Sequence, residues 1–128
     1  MKRYCMGVQH IGLPTNDLDK TIAFYLALGF EIALQTVNEQ SGERVAFLRS
    51  GNLTVECYEN RCAVGHSGAW DHLALDVTDV EAVFRMMQEK GFTTPGQQIE
   101  FLPFWEKGVR FFTIIGPNGE KVEFSQYL

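Results

Sequence analysis

The sequence predicts an α+β fold built from two βαβββ modules in tandem. An internal repeat is the first observation behind this prediction: His10–Leu13 aligns with His72–Leu75, and the same spacing without gaps brings Gly29-Phe30 onto Gly91-Phe92. The second observation is that strand-like and helix-like hydrophobic periods follow each other in the same order in both halves. Self-similarity at a fixed spacing indicates a duplicated supersecondary unit.

The repeat also sets the expected domain organisation. The two halves run from about residue 8 to 59 and from about 70 to 128, and the polar stretch Asn60–Ala69, with two glycines, is interpreted as a linker. A half of about 55 residues would be marginally stable alone. We therefore expect both modules to share one core within a single domain spanning residues 1–128.

The first module begins with a predicted strand over Val8–Pro14. A helix is expected over Asp17–Leu28, because its apolar residues fall on one face and Gly29 is a typical residue just after a helix C-terminus. That face comprises Leu18, Ile22, Tyr25 and Leu26. Glycine-containing turns then separate three further predicted strands, which are Phe30–Val37, Arg44–Arg49 and Leu53–Glu59.

The second module repeats this order. A strand is predicted over Trp70–Val77, and Thr78-x-x-Glu81 matches a capping box at the start of a second helix that Gly91 ends. The apolar stripe of that helix is Val80, Val83, Phe84 and Met87. The last strands are predicted at Val109–Ile115 and Glu120–Gln126. The segment Thr94–Gly108 is longer than a simple connection and carries several aromatic residues, as functional loops often do.

Composition excludes several classes of function. With 128 residues, 45% of them hydrophobic and 21% charged, the chain is typical of a soluble globular protein. No apolar run reaches the roughly 20 residues that a membrane span needs, and no apolar segment typical of a signal peptide follows the N-terminus. The net charge is −5 without a cluster of Lys or Arg, so we expect neither nucleic acid nor membrane as a partner. Three cysteines without metal-ligand spacing indicate reduced thiols in a cytoplasmic protein.

Strand alternation gathers the chemically useful residues on one face of each predicted sheet. His10 and His72 occupy equivalent positions in the repeat, and so do Glu56 and Glu123, while their apolar neighbours point to the opposite face. Any one of these residues alone would ordinarily be a solvated side chain. Two imidazoles and two carboxylates in equivalent places, however, suit a divalent transition metal such as Zn, Ni, Co, Mn or Fe.

The chain resembles the vicinal oxygen chelate superfamily, which includes glyoxalases, bleomycin-resistance proteins and extradiol dioxygenases. The segments that carry the resemblance are Val8–Leu13, Asp17-Leu18, Ala23–Tyr25, Leu28–Phe30, Asp71–Val77 and Gly116–Phe124. This resemblance implies that the two modules form a curled mixed sheet around a metal-binding cleft. The fold hosts several chemistries, so the function has to be argued from the site residues.

Within the superfamily, the ligand order His10, Glu56, His72 and Glu123 is similar to that of bacterial glyoxalase I. That similarity implies bound Ni, Co or Zn and a lyase/isomerase that acts on a methylglyoxal–thiol hemithioacetal, with Glu123 and Glu56 as the catalytic carboxylates. It also implies a homodimer, although other members of the superfamily pair their modules within one chain. The alternatives are a metal-dependent dioxygenase or epimerase, and a small-molecule or antibiotic-binding protein without catalysis.

The remaining candidate residues concern the substrate. Asn60 follows Glu56 by four residues, as does an asparagine that contacts glutathione in glyoxalase I. Trp105 could cover an apolar part of the substrate or simply bury its own loop, and Lys107 and Arg110 could anchor an anionic group or be surface charges. One departure from the glyoxalase I pattern concerns glutathione: Pro14 stands where the glutathione-dependent enzymes have an arginine.

Overall fold

The computed structural model describes residues 3–4, 7–8 and 10–128. The chain divides between Val64 and Gly65 into two compact units, and the division falls within the stretch predicted as a linker. Among the described residues, Cys57 is a buried free cysteine and Cys62 an exposed one, whereas Cys5 lies outside the described part of the chain. No helix of the described residues is long and apolar enough to cross a membrane.

The first unit is a four-stranded mixed sheet with one helix. Its elements are β1 (Ile11–Pro14), α1 (Leu18–Ala27), β2 (Glu31–Val37), β3 (Arg44–Ser50) and β4 (Leu53–Tyr58). The strands are ordered β1-β4-β3-β2, with β1 parallel to β4 and the other neighbours antiparallel. The structure starts the first strand at Ile11 rather than at the predicted Val8, and Gln9 in the intervening stretch lies outside the described residues.

The second unit has the same topology. Its elements are β5 (His72–Asp76), α2 (Val80–Glu89), β6 (Glu100–Leu102), β7 (Val109–Ile115) and β8 (Lys121–Tyr127). The order β5-β8-β7-β6, with β5 parallel to β8, repeats that of the first unit strand for strand. The prediction of an α+β fold in two tandem βαβββ modules is therefore confirmed. The short strand β6 lies inside the long segment Thr94–Gly108.

Each unit packs its helix on one face of its own sheet. In the first unit, Leu18 and Tyr25 of α1 are buried, as are Leu48 of β3 and Val55 and Cys57 of β4. Leu26, predicted on this packed face, is instead 43% exposed. Its neighbours Phe24 and Tyr25 in the same turn are buried, so Leu26 lies at the edge of the packed face rather than within it.

In the second unit an aromatic cluster forms the core under the helix. Phe84 of α2 meets Phe112 of β7 edge to face, with 4.9 Å between ring centroids, and Phe112 stacks on Phe124 of β8. Val80 and Met87 complete the buried part of the predicted helix stripe. Because side chains alternate along a strand, this packing leaves the neighbouring residues of β7 and β8 on the opposite face.

Both helices begin at an aspartate. Asp17 Oδ1 accepts a hydrogen bond from the Lys20 backbone N–H, and Asp79 Oδ1 accepts one from that of Ala82. The N-cap of α2 is therefore Asp79 and not Thr78, which corrects the predicted capping box. The Asp79 backbone is extended, with φ at −149°, which is the usual conformation of an N-cap residue, and its carboxylate accepts the hydrogen bond from the Ala82 N–H.

A second side chain also anchors each helix to its sheet. Glu59, just after β4, accepts a hydrogen bond from the Leu18 N–H at 2.8 Å, and Gln126 of β8 accepts one from the Val80 N–H at 2.9 Å. Glu59 lies three residues after Glu56, and Gln126 lies three residues after Glu123. Helix and glutamate-bearing strand are thus joined in the same way in both units.

Candidate functional site

In the first unit, β1 and β4 bring a histidine and a glutamate together. The two strands run parallel, and Gly12 of β1 is the partner of Glu56 in the ladder. His10 lies two residues before Gly12, so its side chain extends over the same face. Its Nε2 is 3.1 Å from Glu56 Oε2, and about a third of each side chain is exposed.

Phe47 of β3 flanks this pair. It is the cross-strand partner of Glu56 and meets the His10 ring edge to face, with 5.8 Å between centroids. An edge-to-face aromatic contact of this kind favours one orientation of the imidazole. The pair is therefore held by strand register on one side and by a packed ring on the other.

The second unit forms the equivalent pair from β5 and β8. Ala74 takes the place of Gly12 as ladder partner of the glutamate, which is here Glu123. His72 Nε2 lies 3.8 Å from Glu123 Oε2, and the Glu123 side chain is only 18% exposed. Thr113 of β7 is the antiparallel partner of Glu123, the position that Phe47 holds in the first unit.

Asp71, which the sequence analysis did not single out as a site residue, contacts His72 from the other side. Its Oδ2 is 3.0 Å from His72 Nδ1, and its Oδ1 accepts a 2.8 Å hydrogen bond from the Lys121 ammonium. The Lys121 hydrogen bond, followed by that of His72, lowers the pKa of the Asp71 carboxyl below its ordinary value. A carboxylate next to a predicted ligand histidine is the signal that could have found it.

The donor atoms of the first pair are spaced as two ligands of one metal ion would be. Metal–ligand distances of roughly 2.1 Å place two neighbouring ligand atoms about 3.0 to 3.4 Å apart, depending on the angle at the ion. The His10–Glu56 separation of 3.1 Å lies in this range, and the His72–Glu123 separation of 3.8 Å is slightly longer. Within the described ranges, no three or more His, Cys, Asp or Glu side chains are grouped so that they could hold an ion.

Two of the residues predicted to bind substrate have structural partners. Asn60 Oδ1 accepts a hydrogen bond from the Cys62 N–H and so closes a local turn. Arg110 forms a 2.8 Å ion pair with Glu81 of α2. Since Arg110 is three residues before Thr113, it lies on the helix-facing side of the sheet, opposite Glu123. This placement does not favour Arg110 as an anchor for substrate.

Trp105 and Lys107 lie in the exposed turn between β6 and β7. The Trp105 side chain is 76% exposed and meets Tyr127 edge to face. Its backbone has a φ of +61°, in the left-handed region that residues other than glycine seldom occupy. Strained backbone of this kind is concentrated at functional sites.

An open groove of about 750 Å³ runs along the same unit. It lies between the segment that leads into β6 and the middle of β7, and Gln97 bridges its walls by donating a hydrogen bond to the Thr113 carbonyl at 2.7 Å. Thr113, which lines one end of the groove, is also the ladder partner of Glu123. Its walls combine aromatic and amide side chains, including Phe101, Phe111, Gln97 and Gln98.

The duplicated fold is that of a known class of protein. The chain belongs to the Glyoxalase/Bleomycin resistance protein/Dioxygenase superfamily, whose family model matches residues 7–124. This confirms the resemblance at the level of the superfamily.

Particular relatives extend over nearly the whole chain. The uncharacterized protein YwbC of Bacillus subtilis (strain 168) is 27% identical over 126 residues, covering 93% of this chain and 96% of its own. The crystal structure of a glyoxalase family protein from Enterococcus faecalis matches with a TM-score of 0.76 at 21% identity and covers 94% of this chain and 97% of that one. At this identity the likeness concerns the fold alone.

Similar folds carry different activities. The fosfomycin resistance protein FosX of Listeria monocytogenes, solved with Mn(II) and sulfate, matches with a TM-score of 0.69 at 18% identity over 97% of this chain and 94% of its own. Lactoylglutathione lyase of Agrobacterium tumefaciens matches with a TM-score of 0.68 at 18% identity over 95% and 94% of the two chains. The superfamily thus includes metal-binding proteins and enzymes that act on small molecules.

Proposed function

We propose that this chain is a metal-dependent lyase/isomerase of the glyoxalase I type, acting on an α-hydroxycarbonyl adduct such as a methylglyoxal–thiol hemithioacetal. One observation supports it above the others: both units direct a histidine Nε2 toward a glutamate Oε2 from equivalent pairs of parallel strands. A structural role would not require the same two residue types at the same place in each half.

His10, Glu56, His72 and Glu123 are the residues that would hold the ion. Imidazole and carboxylate together suit Ni, Co or Zn, and an ion held by these four ligands would still have room for two substrate oxygens. A divalent ion bound there supplies Lewis acidity to those oxygens. The metal-bound FosX structure shows that the same fold can hold such an ion in another member.

Glu123 is the residue proposed to move the proton. Its carboxylate would take the proton from the carbon that carries sulfur and hydroxyl and return it to the adjacent carbonyl carbon. One C–H bond breaks and another forms, the hydroxyl on the sulfur-bearing carbon gives up its proton, and the former carbonyl oxygen gains one. The hemithioacetal thus becomes a 2-hydroxy thioester without any external oxidant or reductant. Low exposure of the Glu123 side chain, at 18%, favours this role, because fewer waters compete for the proton. Glu56 is the equivalent carboxylate of the first unit and would act mainly as a ligand.

The rest of the substrate would lie along the second unit. Trp105 offers an exposed indole, Lys107 in the same turn offers a positive charge, and the groove beside Thr113 offers an aromatic wall. Asn60 would contribute only if its turn opened, since its side-chain oxygen is engaged by the Cys62 N–H.

The deciding experiment measures bound metal and isomerase activity in parallel. We expect the purified protein to hold about one divalent ion per site and to convert the methylglyoxal adduct of at least one thiol. His72→Ala should lose the metal, whereas His66→Ala should keep it, because His66 is an exposed histidine whose Nδ1 contacts the Ser67 carbonyl. Full metal content in His72→Ala would refute the ligand assignment.

The same preparations separate the alternative functions. Oxygen consumption with a catechol substrate would indicate a dioxygenase, and racemisation without thioester formation would indicate an epimerase. Absence of both metal and turnover would indicate a binding protein for a small molecule or antibiotic. Each of these results excludes the proposed reaction.

A further inference from the structure

The Asp71 side chain lies between the His72 ring and the Lys121 ammonium at the start of β5. One carboxylate oxygen contacts His72 Nδ1 at 3.0 Å, and the other accepts from Lys121 Nζ at 2.8 Å. Lys121 is also the ladder partner of His72, so the three residues form one compact group on the face that carries Glu123. Ser67 Oγ donates a hydrogen bond to the Asp71 carbonyl and holds the backbone of this residue as well.

The contact with Asp71 fixes which ring nitrogen of His72 carries the proton. An ionised carboxylate can only accept hydrogen bonds, and the Lys121 ammonium favours the ionised form of Asp71. Nδ1 must therefore be the donor. In the neutral ring the lone pair is then on Nε2, the atom 3.8 Å from Glu123 Oε2. Free imidazole side chains favour the other tautomer, so this arrangement depends on a partner.

We propose that Asp71 is a positioning residue, which holds His72 in the Nδ1-protonated tautomer and aims the Nε2 lone pair at the place where Glu123 supplies its oxygen. Lys121 orients the carboxylate by occupying its second oxygen. For metal binding this inference rests on the proposed function, because a ligand histidine needs an unprotonated nitrogen toward the ion. A hydrogen-bonded second partner of this kind typically changes metal affinity by 10- to 100-fold when removed.

The tautomer can be measured directly in metal-free protein. Two-dimensional ¹⁵N spectra that correlate the ring nitrogens and carbons distinguish the two tautomers of an unprotonated histidine. At a pH where His72 is neutral, wild type should show the proton on Nδ1. Asp71→Ala should shift the population to the Nε2-protonated form, whereas Asp71→Asn, which keeps an acceptor oxygen, should preserve the native form.

Metal affinity gives the second readout, and Glu89→Ala is the matched control. Glu89 is an exposed carboxylate of the same unit at the end of α2, so its removal changes the net charge equally. Competition with a chelator should show Zn²⁺ or Ni²⁺ bound 10- to 100-fold more weakly in Asp71→Ala and unchanged in Glu89→Ala. Thermal unfolding of each variant checks that the fold persists.

Failure of this proposal differs from failure of the proposed function. An unchanged His72 tautomer in Asp71→Ala would overturn the positioning role, whether or not metal binds. Equal metal affinity in Asp71→Ala and Glu89→Ala would overturn it too. If wild type bound no metal at all, the metal-dependent function would fail, and the tautomer spectra would still decide what Asp71 does.

Discussion

Glu123 offers the sharpest test at the scale of a single residue. Glu123→Gln keeps the size and one oxygen donor of the side chain but cannot take up a proton. We expect the variant to retain much of the metal and to lose at least about a hundredfold in kcat, in line with the usual contribution of a general base. Glu89→Gln, an exposed change in the same unit, should leave kcat unchanged. Wild-type turnover in Glu123→Gln would exclude the carboxylate from proton transfer.

Pro14 leads to a prediction about the thiol. It ends β1 opposite Tyr58 and cannot form the bidentate pair that arginine makes with a carboxylate. Hydrogen bonds to charged groups contribute roughly 1.5–3 kcal/mol, which is about a ten- to hundredfold effect on affinity. We therefore expect the glutathione adduct to be a poor substrate compared with an adduct of another small thiol. Measuring kcat/KM for a series of methylglyoxal–thiol adducts tests this expectation.

The matched variant is Pro14→Arg, which should improve kcat/KM for the glutathione adduct about ten- to hundredfold and change the other adducts little. Pro14→Ala serves as the control for loss of the proline ring. A wild-type kcat/KM for the glutathione adduct near or above roughly 10⁶ M⁻¹s⁻¹, in the upper range for efficient enzymes, would contradict the prediction.

At the scale of the element, the helix starts make a stability prediction. Asp79→Ala removes the acceptor of the Ala82 N–H, and loss of such a cap typically lowers the free energy of unfolding by about 1 kcal/mol. Thr78→Ala should have a much smaller effect, because the structure gives the capping role to Asp79. Urea denaturation of both variants makes the comparison. Equal losses would show that the two residues share the cap.

The sequence predicts best the elements whose apolar residues recur with a clear strand or helix period. Strand alternation and the helical stripe give β7 at its observed bounds and place α1 and α2 to within about a residue of theirs. Helix capping was harder, because Thr78 and Asp79 are both good N-caps and only the backbone conformation selects one. The three-residue strand β6 has too short a pattern to be recognised, and it exists because β7 offers it a free edge.

The site was predictable only where strand alternation determines it. Equivalent positions and alternation predict that His10, Glu56, His72 and Glu123 each lie on the face away from the helix, whereas the ladder register that brings each histidine to its glutamate comes from the structure. The position of Asp71 next to His72 is visible in the sequence, but its contact also depends on a side-chain rotamer and on Lys121, 50 residues away, which the sequence pattern does not predict. Arg110 is two residues from the buried Phe112 on the same strand, so strand alternation alone could have placed Arg110 on the helix-facing side of the sheet.

At the scale of the whole molecule, we propose a homodimer whose metal sites take one unit from each chain. Mixing His10→Ala with Glu123→Ala subunits should then restore about a quarter of the sites, because half of the dimers are mixed and each of those regains one intact site. Metal content and turnover of the mixture measure this recovery.

The control is a mixture of His10→Ala with Glu56→Ala, two changes in the same unit, in which no intact site can form. Activity in that control would show that subunit exchange is not the cause of recovery. If neither mixture recovers although native mass spectrometry shows exchanged subunits, the sites form within one chain.

The ladder between β5, β8 and β7 also constrains how such a chain can change length over generations. Inserting one residue within β8, between Lys121 and Glu123, would turn the carboxylate toward Phe84 and Phe112 and bring an apolar side chain out in its place, because each step along a strand reverses the face. Indels there are expected to survive selection only in multiples of two. An insertion or deletion in the turn around Lys107 or in the linker does not reverse the faces of a strand. We therefore expect most length variation among related sequences to occur in these two segments.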